Sequence, residues 1–418
     1  MMFHKPVRLG ACSVLMIMGH ISLAATAFAQ AAVGNGPLTA TLTDTEPQSG
    51  VLTIGRVKVA PGITVQQLGW DDNVFDESAT ESPKEDYLAD LKPDISAFSQ
   101  LRFVRFSVYG GSSLTYYQKY VSERSVGYDA RGRVDLLLSR VRPFFGYGET
   151  RSRTRPNGEI DIRPNRVEKE ASGGLAFDIS PHAVIYASAF QARNKFDDAL
   201  QDGINLGDTL TRDTYHYEGG FRTDLTPLLS MQLAGVYYED RFPANSTRNA
   251  LGKSGSATFR IATEAVVTGT INLAYHDIHY SDPGLKPFRG MLGNLAITYP
   301  FFEIGRFNLG LGRTVEYSFD AVEAYYLQNT GTLSYTHRLF GQVDAQGKAS
   351  RSIFDYSARP TQPPHTDTLD TAGGSLGYNL RNRTRIGLNY EYARRRSPAF
   401  SDRNYQRRRV FLSWLFAF

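Results

Sequence analysis

Charged residues that alternate along extended segments are the part of this sequence best suited to chemistry. Six of them form a candidate selectivity set: Asp129, Arg131, Arg133, Asp135, Arg385 and Glu391. Within each segment these residues are an even number of positions apart, so a β-strand would place them on one face. A guanidinium group binds carboxylate and phosphate through two parallel hydrogen bonds, and charged rings lining a pore set its ion selectivity. The set therefore predicts recognition of anionic solutes inside a pore.

The same residues also fit a structural role. Further arginines lie either at strand ends or on the strand faces that would line the pore, which we call the lumen. They are Arg140, Arg142, Arg151, Arg153, Arg155, Arg163, Arg166, Arg193, Arg394, Arg395 and Arg396. Acidic residues that could pair with the arginines are Asp129, Asp135, Glu168, Glu170 and Glu391. We expect such ion pairs, which brace the wall, to be the main role of most of these arginines. The two roles are compatible, because paired charged side chains that project into a pore also narrow it.

A catalytic site is suggested only by His276, His279 and Asp282. Outer-membrane hydrolases use histidine with a carboxylate or a serine, but strand alternation puts His276 and His279 on opposite faces. No serine or second acidic pair at a recognisable spacing completes a site. The sequence therefore predicts no enzyme and no cofactor, with a hydrolase built on the two histidines as the minor alternative.

Acidic residues also cluster near residues 71–86 and 197–208. Calcium binding by these carboxylates is conceivable, but their spacing fits no EF-hand loop, and we expect solvated loops without a metal. The formal net charge of the whole chain is +4, which is too balanced to indicate nucleic acid as a partner. The one cysteine is Cys12, so a chain processed after residue 29 would have no disulfide and no thiolate metal site.

The elements that must position the charged residues are β-strands. Residues 127–138, 267–276 and 384–393 alternate strictly between two kinds of side chain, which indicates strands rather than helices. Short turns and longer polar loops alternate between such segments, as in a transmembrane β-barrel. We predict an all-β fold, a transmembrane antiparallel β-barrel of about 18 strands of the bacterial outer-membrane type. A barrel of this size encloses an aqueous channel. A soluble β-sandwich or propeller is the alternative, but it does not explain the final strand.

The final strand is the most apolar segment of the predicted barrel. Val410, Leu412, Trp414, Phe416 and Phe418 fall on one face at period two. Bacterial outer-membrane barrels end in this way, and the barrel assembly machinery reads the terminal aromatic strand. We therefore expect Trp414, Phe416 and Phe418 to be an assembly signal, with outer-membrane lipid and this machinery as partners. In a closed barrel the strand pairs with the first one, so that no edge is left exposed.

The amino terminus predicts secretion. A basic segment and an apolar stretch precede the small-residue cleavage site Ala27-Phe28-Ala29, as in a secretory signal peptide. The alternatives are an uncleaved membrane anchor and a lipoprotein modified at Cys12. We expect residues 1–29 to be a signal peptide, residues 30–58 a periplasmic tail or linker, and residues 59–418 the outer-membrane β-barrel.

Three features need a separate explanation. Arg313 falls on the apolar face of its strand, where an arginine at the bilayer midplane costs about 2–4 kcal/mol. Either its side chain snorkels to the interface or a bulge shifts the register. The run Arg407-Arg408-Arg409 is expected to anchor the final strand at the membrane interface. Tyrosines recur at strand ends; those that face lipid should form interfacial girdles, and those that face inward could stack on sugar rings.

The first predicted strands resemble a known family. Asp72-Asn73-Val74-Phe75 is followed, after an acidic loop, by the segment from Asp86 to Pro93. This combination of an Asp-Asn-Val-Phe turn with an Asp-aromatic-x-x-x-Leu-x-Pro strand resembles the putative beta-barrel porin 2 family, and the Arg-Gly-Arg core of residues 127–135 also fits. The resemblance covers residues from about 55 to the end and implies an outer-membrane barrel. Many members are encoded with exopolysaccharide export systems, so it also implies polysaccharide export, and it carries over no catalytic residue.

These observations give three hypotheses about function. The first rests on the family resemblance: an outer-membrane channel exports an extracellular polysaccharide through its arginine-rich lumen, with an anionic polymer and periplasmic polysaccharide-export components as partners. The second is a general or anion-selective diffusion porin for small solutes. The third is the outer-membrane hydrolase. All three place the protein in the outer membrane of a Gram-negative bacterium.

Overall fold

Strands make up almost all of the fold. The computed structural model describes residues 52–262, 265–302, 304–320, 323–356, 363–380 and 384–417. Their strands are β1 (Leu52–Ile54), β2 (Val57–Asp71), β3 (Asp86–Gln100), β4 (Val104–Tyr117), β5 (Ser125–Leu136), β6 (Val141–Arg153), β7 (Asn165–Ser180), β8 (Ala183–Phe196), β9 (Leu200–Gln201), β10 (Ile204–Asn205), β11 (Arg212–Thr226), β12 (Leu229–Arg241), β13 (Ala250–Ile261), β14 (Thr268–Tyr280), β15 (Phe288–Phe301), β16 (Gly305–Tyr317), β17 (Tyr325–Phe340), β18 (Val343–Tyr356), β19 (His365–Leu380), β20 (Thr384–Arg396) and β21 (Tyr405–Ala417).

Helical elements are short. One α-helix, α1 (Leu206–Leu210), follows β10, and the 3-10 helices are Ala79–Glu81, Val121–Glu123, Ser246–Arg248 and Ser401–Arg403. No helix in the described ranges is long and apolar enough to cross a membrane.

Eighteen strands close into one antiparallel barrel. The sheet contains 19 strands, of which β1 pairs with β2 alone. The other strands, β2–β8 and β11–β21, each pair with the next barrel strand in the chain, and β21 pairs with β2 to complete the circle. This arrangement confirms the predicted fold class and strand number. The wall therefore has no free edge through which another strand could pair.

The wall separates an apolar outer face from a polar lumen. Leucines of the outer belt are at least 44% exposed: Leu233, Leu273, Leu311, Leu388 and Leu412. Alternation turns every second side chain inward, and the inward positions include Asp129, Arg133 and Glu391. On the final strand, Trp414 is outward and has Val65 and Ile386 as its cross-strand neighbours. Phe416 lies two residues further on, opposite Ile63. Phe418, the last residue of the predicted assembly signal, lies outside the described residues.

A β-bulge interrupts β2 near the seam of the barrel. The pairing of β2 shifts register between Val65 and Gln67 on one side and between Val65 and Leu68 on the other. Val65 lies opposite the outward Trp414, and Gln67 lies opposite Asp90. An extra residue at a bulge can re-aim its neighbours. As a result, the consecutive residues Gln66 and Gln67 both line the lumen.

The ends of β16 and β17 at the long loops bend away from the wall into the lumen. The ladder between β15 and β16 stops at the pair Gly293–Arg313, whereas the ladder between β16 and β17 continues to Tyr317. Val315 and Tyr317 have the outward parity of β16, but they are only 2% and 6% exposed. They pack against the inner face of the neighbouring wall, which includes Ile278. We call residues 314–320 and 323–328 the inward hairpin.

Arg313 lies at the point where this hairpin leaves the wall. Neither ladder of β16 contains a register shift, so the bulge, one of the two alternatives for Arg313, is wrong. The exposed side chain lies beyond the midpoint of the strand and donates a hydrogen bond from Nη1 to Asn329 Oδ1 at 3.2 Å. Arg313 therefore lies where β16 separates from β15, and not at a lipid-covered position in the middle of the strand.

Arg407 and Arg409 also differ from the prediction that the run Arg407-Arg408-Arg409 anchors the final strand at the interface. These residues lie within β21, where alternation turns Arg407 and Arg409 inward and leaves only Arg408 exposed outside. Arg407 binds Asp71 through Nε at 2.9 Å and Asp76 through Nη1 at 3.1 Å. The two carboxylates come from β2 and the loop after it, so the arginine joins the last strand to the first.

Candidate functional site

The loop between β6 and β7 folds across the lumen. We call residues 154–164 the crossing loop. Asn157 Nδ2 donates to the Tyr317 carbonyl at 3.1 Å, and Arg395 of β20 pairs with Asp161 at 3.4 Å. An added Cβ at Gly158 would overlap the Phe354 ring of β18. These partners belong to β16, β18 and β20, which are on the opposite side of the barrel from β6 and β7. The loop therefore divides the lumen.

Glu159 is the most deeply enclosed acid of the crossing loop. It is 1% exposed, and its two carboxyl oxygens contact Ser318 Oγ at 3.0 Å and the Phe319 backbone N–H at 3.1 Å. Burial raises the pKa of Glu159 to about 7, because the charged form loses its water. The hydrogen bonds favour the charged form, but they offset only part of this effect. The loop thus ends on a carboxyl group that titrates near neutral pH.

Arginines fasten the near side of the crossing loop. Arg155 pairs with Asp76 at 2.9 Å, and Arg163 pairs with Glu123 at 3.1 Å. The same two guanidinium groups donate to the Val74 carbonyl at 3.2 and 2.6 Å. Asp76 and Val74 belong to the loop after β2, and Glu123 to the loop after β4. The crossing loop is therefore attached to two other loops before it enters the lumen.

Two more loops support the far end of the crossing loop. Ile160 packs with Leu206 and Leu210 of helix α1 and with Phe319 of the inward hairpin. Arg248, which is 1% exposed, donates to the Thr209 carbonyl at 3.2 Å and also to the Ser318 carbonyl. This apolar and hydrogen-bonded layer holds the hairpin and the crossing loop together.

A cavity of about 370 Å³ remains beside the crossing loop. Its walls are β2–β6 and β18–β21, and its roof is the crossing loop. Eight cationic side chains line it: Lys92, Arg153, Arg155, Arg163, Lys348, Arg395, Arg407 and Arg409. Five carboxylates line it as well: Asp76, Asp90, Glu123, Asp161 and Glu391. The lining of the cavity therefore has more cationic than anionic side chains, and Asp71 and Asp367 behind it pair with Arg407 and Arg395.

Two lysines contribute most of the uncompensated charge of this cavity. Most of the arginines have a carboxylate partner, such as Asp161 and Asp367 for Arg395. Lys92 is 3.9 Å from Asp90, at the limit of an ion pair. Lys348 of β18 forms no ion pair within the described ranges, and its cross-strand neighbours are Ser334 and Gly373. Lys348 is therefore available to attract an anion.

The predicted selectivity set is inward but divided into separate ion pairs. Asp129 accepts from Arg131 Nε at 2.8 Å, and Asp135 accepts from Arg133 Nη2 at 2.7 Å. On the other wall, Arg385 Nη2 is 2.6 Å from Asp344 Oδ1, and Glu391 pairs with Arg409. Only Glu391 among the six lines the cavity. These ion pairs stabilise the barrel wall, and the role of the six residues in selectivity stays a prediction.

Several of the arginines predicted at lumen faces or strand ends face the outside. Arg193 is exposed and pairs with Asp213 at 2.6 Å across the outer face of β8 and β11. Arg151 is the cross-strand partner of Tyr128, which faces outward, so it lies on the same face. Arg394 and Arg396 are an even number of positions after the outward Tyr390 and therefore also face outward. These four lie near strand ends. There, the alternation of side chains does not show whether a polar residue faces the lumen or the outer surface, because both are polar.

The histidines do not form one site. His276 is buried in the lumen wall beside Tyr238, with ring centroids 6.3 Å apart. His279 is outside, where Nε2 is 2.9 Å from Asp277 Oδ1. The described residues contain no group of three or more side chains that could hold a metal ion.

Sequence reasoning missed the crossing loop, because its residues look like one more polar outer loop. The informative signal was the pair Ile160 and Ile162, two apolar residues within a segment bounded by Pro156 and Pro164. Both isoleucines pack in the apolar layer under the loop.

Residues 49–418 match the family described as putative beta-barrel porin 2. No curated protein matches the sequence. The solved structures of OpdQ and OpdO from Pseudomonas aeruginosa resemble this chain with TM-scores of 0.49 and 0.48 and identities of 10% and 12%. Each similarity covers 86% of this chain and 98% or 97% of the other. The family match spans nearly the whole sequence and confirms the resemblance seen in the first strands. The chain therefore belongs to the putative beta-barrel porin 2 family and is a porin-type β-barrel of the bacterial outer membrane.

Proposed function

We propose that this barrel is a channel for small anionic solutes, which pass through the cationic cavity beside the crossing loop. The observation that carries the proposal is the cavity itself, where eight cations face five carboxylates. Charge of one sign in a narrow, water-filled pore raises the local concentration of the opposite ion. A volume of about 370 Å³ is at the lower end of small-molecule sites, so it suits single carboxylated or phosphorylated molecules.

Planar-bilayer recordings with a salt gradient test the anion preference. The wild-type channel should show a reversal potential that indicates preference for chloride over potassium. The Lys92→Gln and Lys348→Gln double variant should lose most of this preference, since it removes the two lysines that the wall carboxylates compensate least. Lys253→Gln is the matched control, because Lys253 is exposed on the outer face of β13. Cation preference in the wild type, or equal loss in the control, would refute the proposal.

A second candidate is the export of an anionic polysaccharide, which the family resemblance implied. It is favoured by an aromatic strip beneath the crossing loop, in which Tyr326 and Phe354 have centroids 6.0 Å apart and Tyr326 and Tyr356 5.2 Å apart. Arg395 lies over Phe354 at 6.0 Å. If the crossing loop left the lumen, these rings and the guanidinium group would face the passage. Aromatic faces and arginine together suit a chain of acidic sugars, and periplasmic export components would then be partners.

Gene deletion separates the two candidates. Polysaccharide released to the medium and polysaccharide retained in the periplasm would be measured together with uptake of small anions. Retained polymer with normal anion uptake would favour export, and reduced anion uptake with normal polymer release would favour the small-solute channel.

A further inference from the structure

We propose that the outer face of β18–β21 carries a binding site for the phosphate groups of the anionic glycolipid in the outer leaflet. The site consists of four outward arginines, of which one is on β18, two are on β20 and one is on β21. We call Arg351, Arg394, Arg396 and Arg408 the arginine patch. It is separate from the lumen, and it does not depend on what the channel carries.

The strand register brings these arginines together. Arg351 of β18 and Arg394 of β20 are both cross-strand neighbours of Asp370 of β19. Arg396 follows two positions after Arg394 on the same face. Arg408 of β21 lies opposite Tyr392, which is two positions before Arg394. Direct cross-strand neighbours have Cβ atoms about 5 Å apart. Four guanidinium groups therefore share a small area of the outer surface.

The patch has more positive charge than its carboxylates balance. Asp370 binds Arg351 at 2.6 Å, and it is the one acid that pairs with the patch in the described ranges. Asp355 lies further along β18 without such a pair. Asp72 accepts a hydrogen bond from the backbone N–H of Arg408, not from its side chain. Within the described ranges, the side chains of Arg394, Arg396 and Arg408 thus form no ion pair of their own, and the charge of Asp370 is shared among Arg351, Arg394 and Arg396.

Three rim arginines on other strands differ from the patch, although the outward Arg151 of β6 also forms no ion pair within the described ranges. Arginines at the same end of β8, β12 and β15 each have an acid of their own. Arg193 pairs with Asp213 at 2.6 Å, Arg241 with Glu239 at 2.7 Å and Arg289 with Asp277 at 2.9 Å. What distinguishes β18–β21 is that four outward arginines lie together with one paired acid, Asp370.

The position of the arginine patch along the barrel axis, relative to the apolar belt, indicates its ligand. Along the outer face of β20, Ile386, Leu388 and Tyr390 are exposed apolar residues of the belt, and Arg394 and Arg396 follow towards the long loops. The long loops of outer-membrane barrels lie outside the cell, so the patch is level with the headgroups of the outer leaflet. The main lipid of this leaflet has phosphate groups on its sugar headgroup. Guanidinium groups bind phosphate bidentately, and basic clusters beside a membrane bind anionic headgroups.

Binding of purified bisphosphorylated lipid A to the detergent-solubilised full-length barrel tests the proposal. The Arg394→Gln, Arg396→Gln and Arg408→Gln triple variant should bind at least about tenfold more weakly than the wild type. The matched control replaces Arg193, Arg241 and Arg289 with Gln on β8, β12 and β15, outside the patch, and its binding should be unchanged. Bilayer conductance of the patch variant should equal that of the wild type, since the lumen is untouched.

Experiments on the wild-type protein keep the proposal falsifiable if the triple variant does not fold. Lipid A without phosphate groups should bind at least about tenfold more weakly than the bisphosphorylated form. Inorganic phosphate should compete only weakly, because it lacks the acyl chains that lie along the apolar belt. Equal binding of both lipid A forms, or equally weakened binding in the two triple variants, would overturn the proposal. Inorganic phosphate that bound as tightly as lipid A would identify a site for a free anion instead.

Discussion

At the residue scale, one buried arginine connects the two ends of the barrel. Arg407 of β21 is enclosed between Asp71 and Asp76, which flank the end of β2. A buried ion pair gives little net stability when compared with an apolar replacement of both partners, but removing one partner leaves an uncompensated charge. The arginine is therefore expected to matter more for closing the barrel than any exposed pair on the rim.

Replacing Arg407 with alanine should strongly destabilise the closed barrel. Asp71 would stay buried without its cation, whereas Asp76 would keep Arg155, and we expect a cost of about 3–5 kcal/mol. The measurement is the temperature at which the folded band on an unboiled denaturing gel converts to the unfolded band. Arg408→Ala is the control, because the neighbouring side chain is exposed outside. Equal transition temperatures for the two variants would contradict the assigned role.

Glu159 should make conductance depend on pH. Its pKa is raised to about 7 where the crossing loop is docked, whereas a carboxyl group in a released, solvated loop would have an ordinary pKa of about 4.3. Between these two values the released loop ionises and the docked one does not, so docking weakens as the pH rises and becomes constant above about 7. We therefore expect a firmly docked loop and low conductance at pH 5, and higher conductance at pH 8.

The Glu159→Gln variant tests this origin of the pH dependence. Glutamine resembles the protonated carboxyl group and can still contact Ser318 and Phe319. Its conductance should stay low and lose most of its change between pH 5 and pH 8 in bilayer recordings. A variant as pH-dependent as the wild type would assign the effect to other groups, such as Asp161, whose pKa burial also raises.

At the element scale, the crossing loop should act as the main restriction of the lumen. Gly158 lies against the fully buried ring of Phe354, and a Cβ at this position would overlap the ring. The Gly158→Ala variant should therefore displace the loop from β18 and raise single-channel conductance. Gly235→Ala is the matched control, since no atom lies within 4 Å of its added Cβ. Unchanged conductance in Gly158→Ala would show that the open passage does not depend on where the loop sits.

The strands were predictable and the loop was not, for one physical reason. Alternation is local, so residues such as Asp129 and Arg131 were assigned to the lumen face from their spacing alone. The path of the crossing loop depends on contacts between distant residues, such as Asn157 with Tyr317. Arg313 shows the same limit, because its outward parity was correct and the split of the sheet beside it left no trace in the alternation.

At the scale of the whole molecule, closure depends on the seam between β2 and β21. This pairing contains the β-bulge that turns Gln66 and Gln67 into the lumen. A seam interrupted in this way is the place where a barrel wall would open sideways, if solutes left through the wall. A channel whose solutes pass only along the lumen axis needs no such opening.

A disulfide across the seam distinguishes these two routes. Thr64 and Leu415 are cross-strand partners on the regular side of the bulge, and cross-strand neighbours have Cα separations that a disulfide can bridge. Oxidation of the Thr64→Cys and Leu415→Cys variant should raise the gel-shift transition temperature, because closing a loop longer than 100 residues constrains the unfolded chain by about 5 kcal/mol. Conductance and anion preference should be the same before and after reduction. Conductance that fell on oxidation and recovered on reduction would mean that solutes use the seam, and the axial passage beside Lys348 would then not be the transport route.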